Sequence, residues 1–469
     1  MQRLRTQERL VFHPKHGEGR VGLKQESSLN FKKICILGLG YIGLPTASTF
    51  AANGVKVVGV DVNSHIVKTL RSGKIHIQEP GLHEVYERAV SSGNLILSTQ
   101  PEEADAFIIA VPTPFYDKKS GEYKGRKYKL ADMRAVTAAA ESIVPFLKKG
   151  NLVVLESTSP PRTTSGLVSP ILARSGLEPG RDFHLAYSPE RVLPGRILTE
   201  LTENARVIGG VTPASAKAGA DLYSIFVKGE IFQTDATTAE MVKLMENTYR
   251  DINIAIANEF ARLADSFGVD VWEAISLANH HPRVKILNPG PGVGGHCISV
   301  DPWFFVESAP ELTPLIYTAR RVNDAQPEFV LDTVRRALCG PDFPEDALKG
   351  KKVAALGLAY KPDVDDLRES PAIEVVRLLA DEGAIVKAWE PFKPDAVVPG
   401  IDMAAGLDEA IEDAELVILL VAHSEFLKLK PALVASKTRA RMLVDTVNGW
   451  SGESWRDAGF QVTRLGAGK

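Results

Sequence analysis

Cys297 is the residue whose type and surroundings best suit covalent chemistry. It follows residues 289–296, the run PGPGVGGH, and glycine lets a backbone approach a ligand closely and leave a thiol accessible. Cys35 lies in an apolar strand pattern and fits an inert buried thiol, and Cys339 has no chemical neighbours in the sequence. His296 beside Cys297 lacks the further ligands of a metal site, so we expect no metal.

Lys243 and Asn247 could form a polar pair on a helix. They are four residues apart in a segment of helical periodicity, so both project from one face, with Arg250 nearby on that side. A lysine on a helix is usually solvated surface. Apolar positions flank Lys243 and indicate that the helix is largely covered, so a surface role and a functional role both stay open.

The glycine turn at residues 38–43 has the pattern that binds dinucleotides. It follows an apolar strand and opens a helix, and Asp61 ends the next strand about 20 residues later. Such glycines bring a pyrophosphate close to a helix N-terminus. Asp61 can accept a hydrogen bond from a ribose 2′-hydroxyl and would repel a 2′-phosphate, so we expect NAD rather than NADP. The predicted cofactor contacts here are Gly38, Gly40, Tyr41, Ile42, Gly43 and Asp61.

The elements that position these residues are two α/β units with a helical stretch between them. Near-continuous apolar strands are predicted at residues 106–111, 152–155 and 184–187, and a helix at 133–147. Alternation of this kind predicts Rossmann-like, doubly wound parallel sheets. Strand–helix alternation resumes after Gly350 around one remaining glycine turn at Gly357.

A long spine helix is predicted between the two units, over residues 237–268. Its apolar positions follow helical spacing, which predicts an amphipathic helix. A helix of this length between two α/β regions usually serves as an interdomain spine or a dimer surface. The apolar positions are Met241, Leu244, Met245, Ile252, Ile256 and Phe260.

Composition excludes several classes of protein. The 55 Lys and Arg residues against 58 Asp and Glu give a net charge of −3, without the basic excess of nucleic-acid binders. Three scattered cysteines do not form a disulfide framework, and no apolar run is long enough to span a membrane. Residues 1–30 lack the apolar core of a signal peptide. We expect a cytoplasmic protein with a disordered N-terminal extension, and a partner-binding arm there is the alternative.

A series of ordered motifs resembles the nucleotide-sugar 6-dehydrogenases, the UDP-glucose/GDP-mannose 6-dehydrogenase family. The resemblance extends from about Phe31 to the C-terminus. The motifs are GLGYIGLPTA, AVPTPF, ESTSPP, SPERVLPG, AEMVKLMENTYRDINIAIANE, HPRVKILNPGPGVGGHCISVDPWF and GLAYKPDVDDLRESPA. It implies an extension at 1–30, an NAD-binding domain at 31–234, a central dimerisation domain with the cysteine loop at 235–335, and a UDP-binding domain at 336–469.

The resemblance implies a four-electron oxidation of a sugar C6 hydroxymethyl group to a carboxylate, with two NAD+ consumed. Cys297 would be the nucleophile that forms a thiohemiacetal and then a thioester. Lys243 would act as acid/base or stabilise the C6 oxygen, and Asn247 would add a hydrogen bond. Asp301 would manage protons and water.

The same resemblance implies the remaining site residues. Thr158 and Glu190 would order the hydrolytic water or line the site, and Thr113, together with Thr158, would contact the cofactor. The implied substrate contacts around the sugar are Glu190, Arg191, Val192, Lys243, Asn247, Arg250, His281, Arg283 and Gly292. Those at the UDP end are Tyr360, Lys361 and Arg368, since arginine suits a diphosphate.

Departures from the family pattern bear on substrate choice. Pro194 stands where UDP-glucose dehydrogenases tend to have an acidic residue, and Val300 where they tend to have lysine. Both follow the N-acetylhexosamine branch, which implies UDP-N-acetyl-D-mannosamine as substrate, UDP-N-acetylglucosamine as the alternative, and UDP-glucose behind both. Val447 and Asn448 stand where relatives often have a basic residue, which leaves one phosphate or partner contact in doubt.

Two other functions are considered as alternatives to this dehydrogenase. A catalytically silent protein that binds NAD and a UDP-sugar would have lost Cys297, Lys243 or Asn247, and all three are present. A simple two-electron dehydrogenase would need no thiol in a glycine-rich loop. The resemblance further implies a product for surface polysaccharide and a homodimer or higher oligomer.

Overall fold

The computed structural model of the chain describes residues 31–295, 297–344, 346–450 and 452–468. The predictions for residues 1–30 and for His296 lie outside these described residues. Within the described residues, no helix is long and apolar enough to cross a membrane.

The first unit is built around an eight-stranded sheet with the order β10-β9-β8-β7-β4-β1-β2-β3. The strands of this part of the chain are β1 (Lys33–Leu37), β2 (Lys56–Val60), β3 (Leu95–Ser98), β4 (Ala106–Ile109), β5 (Phe115–Tyr123), β6 (Arg126–Ala131), β7 (Leu152–Leu155), β8 (His184–Tyr187), β9 (Arg206–Gly210) and β10 (Ile231–Asp235). Its helices are α1 (Gly43–Ala52), α2 (Ser64–Arg71), α3 (Leu82–Ser91), α4 (Arg134–Ile143), α5 (Ser169–Leu172), α6 (Ile197–Glu203) and α7 (Pro213–Tyr223). Every residue of β4 and β7 is buried, as expected where helices cover both faces of a sheet.

Three details of this part of the chain differ from what the sequence predicts. β8 and β9 pair antiparallel. The helix predicted at 133–147 ends at Ile143 and continues as a 3₁₀ turn that contains Pro145, because proline removes a backbone donor. β5 and β6 form a separate antiparallel hairpin that the apolar pattern did not indicate.

Within the described residues, five helices form the middle of the chain, and the predicted spine helix is confirmed. They are α8 (Ala236–Phe267), α9 (Val271–Ala278), α10 (Asp301–Ser308), α11 (Pro314–Asp324) and α12 (Gln326–Cys339). The Asp235 side chain caps α8 by accepting a hydrogen bond from Thr238 N, and Gly268 ends it in a left-handed conformation. α8 contacts both α10 and α11.

The apolar residues of α8 do not all face the interior. Leu244 is buried, whereas Met241, Met245, Ile256 and Phe260 are exposed. The inference that flanking apolar residues cover this helix is therefore wrong for one face. Small and polar residues make up much of the buried face instead, and they are Ala239, Lys243, Asn247, Asp251, Ala255 and Asn258.

The second α/β unit is a six-stranded parallel sheet with the order β13-β12-β11-β14-β15-β16. Its strands are β11 (Lys352–Leu356), β12 (Ile385–Trp389), β13 (Asp402–Met403), β14 (Leu416–Leu419), β15 (Met442–Asp445) and β16 (Gln461–Arg464). Its helices are α13 (Pro371–Asp381), α14 (Leu407–Ile411), α15 (Ser424–Leu427), α16 (Pro431–Lys437) and α17 (Gly452–Asp457). Gly357 N donates to Trp389 O as Gly38 N donates to Val60 O. The predicted α/β class, with two Rossmann-like sheets and a helical middle, is confirmed.

Candidate functional site

Cys297 lies between the glycine-rich loop and α10. Its carbonyl accepts a hydrogen bond from Asp301 N at 2.8 Å, so a tight turn ties the cysteine to the start of the helix. The residue is solvent-accessible but recessed among protein groups. Desolvation raises the pKa of the Cys297 thiol, the charge of Lys243 lowers it and the charge of Asp301 raises it. A base or a cation must therefore help to form the thiolate.

Lys243, Asn247 and Asp301 form a buried polar cluster beside this thiol. Asn247 Nδ2 donates to Asp301 Oδ2 at 2.6 Å, and all three side chains are buried. Burial raises the pKa of Asp301 to about 6, although Lys243 and the Asn247 hydrogen bond both lower it. Within the part of the chain that the structure describes, no carboxylate oxygen lies within 4 Å of Lys243 Nζ. Asp301 is therefore the member of the cluster whose pKa lies nearer to neutral pH than that of a free carboxyl.

Glu190 belongs to a second buried cluster, centred on Arg206. The Arg206 guanidinium donates to Glu190, to Glu156 at 3.3 Å and to Ser188 Oγ at 2.9 Å. Tyr223 OH also donates to Glu156, at 2.9 Å. Desolvation raises the pKa of Glu156 to about 7 against the opposing charge of Arg206, and Glu156 Oε2 has no hydrogen-bond partner among the described residues. One arginine thus orients two carboxylates.

Thr158 and Thr113 are brought together after neighbouring parallel strands. Thr113 Oγ1 donates to Thr158 O at 2.7 Å, and these residues follow β4 and β7, which pair directly. The carboxyl ends of parallel strands are where α/β sheets bind ligands. This placement fits the cofactor role expected for both residues.

The glycine turn at the start of α1 fits a dinucleotide. A Cβ atom at Gly43 would lie 1.8 Å from Gly38 O, and one at Gly38 would lie 2.4 Å from Ala110 O. A Cβ at Gly40 would meet nothing within 4 Å, so open space faces the turn where a pyrophosphate would approach. Asp61 Oδ2 accepts a hydrogen bond from Leu39 N at 3.0 Å. The residues present can hold NAD.

The second α/β unit meets the glycine-rich loop through Tyr360. A Cβ at Gly295 would lie 2.8 Å from the Tyr360 ring, so only glycine permits this approach. Desolvation, followed by the charges of Asp366 and Cys297, raises the pKa of Tyr360 to about 12. Arg368 lies over the Tyr41 ring at 5.1 Å, which places a residue expected at the UDP end against the dinucleotide turn.

Lys361 and Arg191 already have protein partners. Lys361 Nζ donates to Pro194 O at 3.2 Å, which ties the second unit to the SPERVLPG segment. Arg191 Nε donates to Glu246 Oε2 at 3.0 Å, so its guanidinium is held against α8. Val192, beside Arg191, is half-buried.

Four predicted substrate contacts are less well connected to the cluster. Arg250 is exposed on α8, although its charge lowers the pKa of Cys297. His281 and Arg283 are exposed after α9 and bond to each other, with Arg283 N donating to His281 Nδ1 at 3.4 Å. Gly292 has a φ of +145° and packs against Pro371, where a Cβ would lie 2.8 Å from the proline Cβ.

Sequence reasoning missed several buried polar residues near the site. Glu79 accepts hydrogen bonds from Gly195 N and Ile197 N, both at 2.7 Å, and so fixes the segment after Glu190. Glu390 accepts from Leu358 N and Ala359 N. An acidic residue directly after an apolar strand was the available signal for Glu156 and Glu390, as it was for Asp61.

Three family models match the chain in order. The NAD binding domain of the UDP-glucose/GDP-mannose dehydrogenase family matches residues 32–227, its central domain 237–325 and its UDP binding domain 354–451. A UDP-N-acetyl-D-mannosamine dehydrogenase of Methanocaldococcus jannaschii is 47% identical over 441 residues, 93% of this chain and 97% of the relative. An NDP-N-acetyl-D-galactosaminuronic acid dehydrogenase of Ralstonia nicotianae is 46% identical over 435 residues, 90% of this chain and 97% of the relative.

Solved structures give the same picture. A UDP-D-ManNAc dehydrogenase from Pyrococcus horikoshii superposes with a TM-score of 0.83 at 39% identity, covering 93% of this chain and 99% of the other. The UDP-N-acetyl-mannosamine dehydrogenase Cap5O from Staphylococcus aureus superposes with a TM-score of 0.82 at 45% identity, with the same coverage.

Proposed function

The chain belongs to the UDP-glucose/GDP-mannose dehydrogenase family, and from this premise we propose that it oxidises C6 of UDP-N-acetyl-D-mannosamine to the uronate. It is an NAD-dependent oxidoreductase of nucleotide-sugars. The observation that carries the proposed chemistry is the thiol of Cys297 beside the buried Lys243–Asn247–Asp301 cluster. The product would supply surface polysaccharide synthesis.

The glycine turn at 38–43, Asp61, Thr113 and Thr158 would hold the cofactor. When bound, NAD+ accepts a hydride from the substrate carbon in each oxidation. The chain itself must position C6 and manage the protons that accompany each hydride loss.

Lys243 and Asp301 would manage the protons of the first oxidation. As the alcohol becomes an aldehyde, the C6 hydroxyl proton passes to Lys243 Nζ or, through the cluster, to the Asp301 carboxylate. Asp301 suits this work because burial raises its pKa to about 6, so it can take up and release a proton near neutral pH. Asn247 fixes the carboxylate through the 2.6 Å hydrogen bond from its Nδ2.

Cys297 would make the second oxidation possible. Its thiolate adds to the aldehyde carbon, the C–S bond forms, and the oxygen takes a proton from Lys243 to give a thiohemiacetal. Loss of that proton and of a second hydride leaves a thioester. Water then attacks the thioester carbon, the C–S bond breaks, and the products are the sugar carboxylate, the Cys297 thiolate and two protons. Glu190, oriented by Arg206, would activate or order that water.

The relatives' names and two sequence positions support the substrate. The Methanocaldococcus relative is named for UDP-N-acetyl-D-mannosamine, and Pro194 and Val300 follow the N-acetylhexosamine branch. The Ralstonia relative at nearly the same identity is named for an N-acetyl-D-galactosaminuronic acid. The C2 and C4 configuration of the sugar is therefore what the first assay must decide.

The test is NADH formation with NAD+ and each of four substrates: UDP-N-acetylmannosamine, UDP-N-acetylglucosamine, UDP-N-acetylgalactosamine and UDP-glucose. We expect the mannosamine compound to give the highest kcat/KM, at least tenfold above the others. A preference for another N-acetylhexosamine would overturn the substrate and leave the chemistry. Cys339→Ser, which removes the other exposed thiol, is the matched control for Cys297→Ser and should turn over like the wild type.

We also propose the domain division at 31–234, 235–335 and 336–469. The change from strand to helix at Asp235 supports the first boundary, whereas the second lies inside α12, which ends at Cys339. The exposed apolar face of α8, which includes Met245 and Phe260, would pack against a second copy of the chain because large exposed apolar faces mark interaction surfaces.

Light scattering would test that contact. Phe260→Glu should reduce the mass to that of one chain, whereas Leu433→Glu, at an exposed leucine on α16, should leave it unchanged. A wild-type protein that runs as a single chain would exclude the contact.

A further inference from the structure

The glycine-rich loop before Cys297 is held by a side chain of α8 that no site prediction included. Gly290 N donates to Asn258 Oδ1 at 3.0 Å. Asn258 is fully buried, and the backbone from 285 to 295 has no regular secondary structure to hold it. Loops of this kind depend on side chains for their backbone hydrogen bonds.

The orientation of the Asn258 amide is dictated by a chain of buried groups. Asn323 Nδ2 donates to Asp251 O at 3.0 Å and to Asp251 Oδ1 at 2.8 Å. A backbone carbonyl can only accept, so the Asn323 nitrogen must face Asp251 and its oxygen must face away. That oxygen accepts from Asn258 Nδ2 at 2.9 Å, which turns Asn258 Oδ1 toward Gly290 N.

The chain of hydrogen bonds begins at an ion pair. Arg320 donates to Asp251 through Nη1 and to Asp324 through Nη2, and both Arg320 and Asp251 are buried. Asp251 and Asn258 lie on α8 and Arg320 and Asn323 lie on α11. The packing of these two helices therefore sets a donor–acceptor direction that ends at the loop.

We propose that Asn258 is a positioning residue for Cys297, and that Asn323 acts through it. Asn258 fixes the loop at Gly290, seven residues before the cysteine. Downstream, Ser299 Oγ donates to Gly295 O. The inference rests on the proposed function in one respect, the assignment of Cys297 as the nucleophile. Among the described residues, the hydrogen-bond partners of the Asn258 side chain are Asn323 and Gly290, not the thiol or the buried cluster.

Two variants and one control test the proposal. Asn258→Ala removes the acceptor for Gly290 N, and Asn323→Ala leaves that acceptor but frees its orientation. Asn253→Ala is the control, because Asn253 lies on the same helix and its side chain donates to Tyr249 O, one turn earlier on that helix. We expect kcat to fall at least tenfold in Asn258→Ala and less in Asn323→Ala, with KM for NAD+ within twofold of the wild type.

Alkylation of the two exposed thiols separates positioning from general damage. Iodoacetamide rates at Cys297 and Cys339 are measured in the same tube by peptide mass spectrometry, so Cys339 is the internal reference. In Asn258→Ala the ratio of the Cys297 alkylation rate to the Cys339 alkylation rate should change at least threefold. The reason is that the desolvation of Cys297 and its distance from Lys243 both depend on the loop.

A wild-type ratio with wild-type kcat would overturn the proposal. Equal changes at both thiols together with a lowered Tm would also overturn it, because they would show a merely structural role. If Cys297→Ser still makes uronate, the nucleophile assignment fails, yet the alkylation ratio still tests the loop.

Discussion

Replacing Asp301 by Asn should make the protein more stable and less active. Asp301 is 2% exposed, and desolvation raises its pKa from 3.8 to about 6 even with Lys243 nearby. The folded protein therefore resists ionising this carboxyl, while the unfolded chain does not. Asparagine has nearly the shape of the protonated acid, and its oxygen can still accept from Asn247 Nδ2.

The size of the effect follows from the two pKa values. A carboxyl with a raised folded pKa loses its stabilising contribution as pH rises through the window from 3.8 to about 6. Relative to a carboxyl that keeps its pKa of 3.8, Asp301 costs the fold about 3 kcal/mol at pH 8 and about 1.5 kcal/mol at pH 5. The Asp301→Asn variant should recover these amounts, so its advantage should shrink by about half between pH 8 and pH 5.

Chemical denaturation at the two pH values measures this difference. Asp395→Asn is the control, since Asp395 is exposed. We also expect kcat to fall at least tenfold, because a permanently neutral group cannot exchange the proton. If Asp301→Asn is less stable than the wild type at pH 8, or if its gain in free energy of unfolding does not depend on pH, burial does not oppose the ionisation of Asp301.

Three further predictions concern the cofactor turn and the second buried cluster. Gly40→Ala should keep the wild-type Tm and weaken NAD+ binding at least tenfold, because the new Cβ would have no atom of the described residues within 4 Å. Gly43→Ala should lower the Tm, because its Cβ would lie 1.8 Å from a carbonyl oxygen. A thermal melt and an NAD+ titration compare them, and equal Tm values would contradict the geometry. Asp61→Asn should reduce the NAD+ to NADP+ ratio of kcat/KM at least tenfold, and an unchanged ratio would exclude charge repulsion as its cause. Arg206→Met should leave Glu190 without its buried partner and slow uronate release more than the first oxidation, which single-turnover NADH traces resolve; equal slowing of both phases would argue against a role in thioester hydrolysis.

Much of the fold could be predicted from the sequence because its signals are local. The strands β7 and β8 fall where the apolar runs predict them, and α8 begins and ends within one residue of the predicted helix. The dinucleotide turn was also predictable, since glycine spacing and the acid after β2 lie within one short segment. Such signals need no knowledge of the tertiary structure.

The connections behind the site could not be predicted because they join distant segments. Arg206 reads as an ordinary residue of a strand, and only the sheet brings it against Glu156, 50 residues earlier. Asn258 and Asn323 are separated by 65 residues. Exposure of one α8 face also escaped prediction, because apolar spacing alone does not say which face is covered.

The number of NADH molecules formed per UDP-sugar consumed is the most direct test of a four-electron oxidation through a Cys297 thioester. We expect two NADH per sugar for the wild type and for Cys339→Ser, with uronate as the product, and no sustained uronate production by Cys297→Ser. One NADH per sugar with an aldehyde product, or unchanged uronate production by Cys297→Ser, would contradict it.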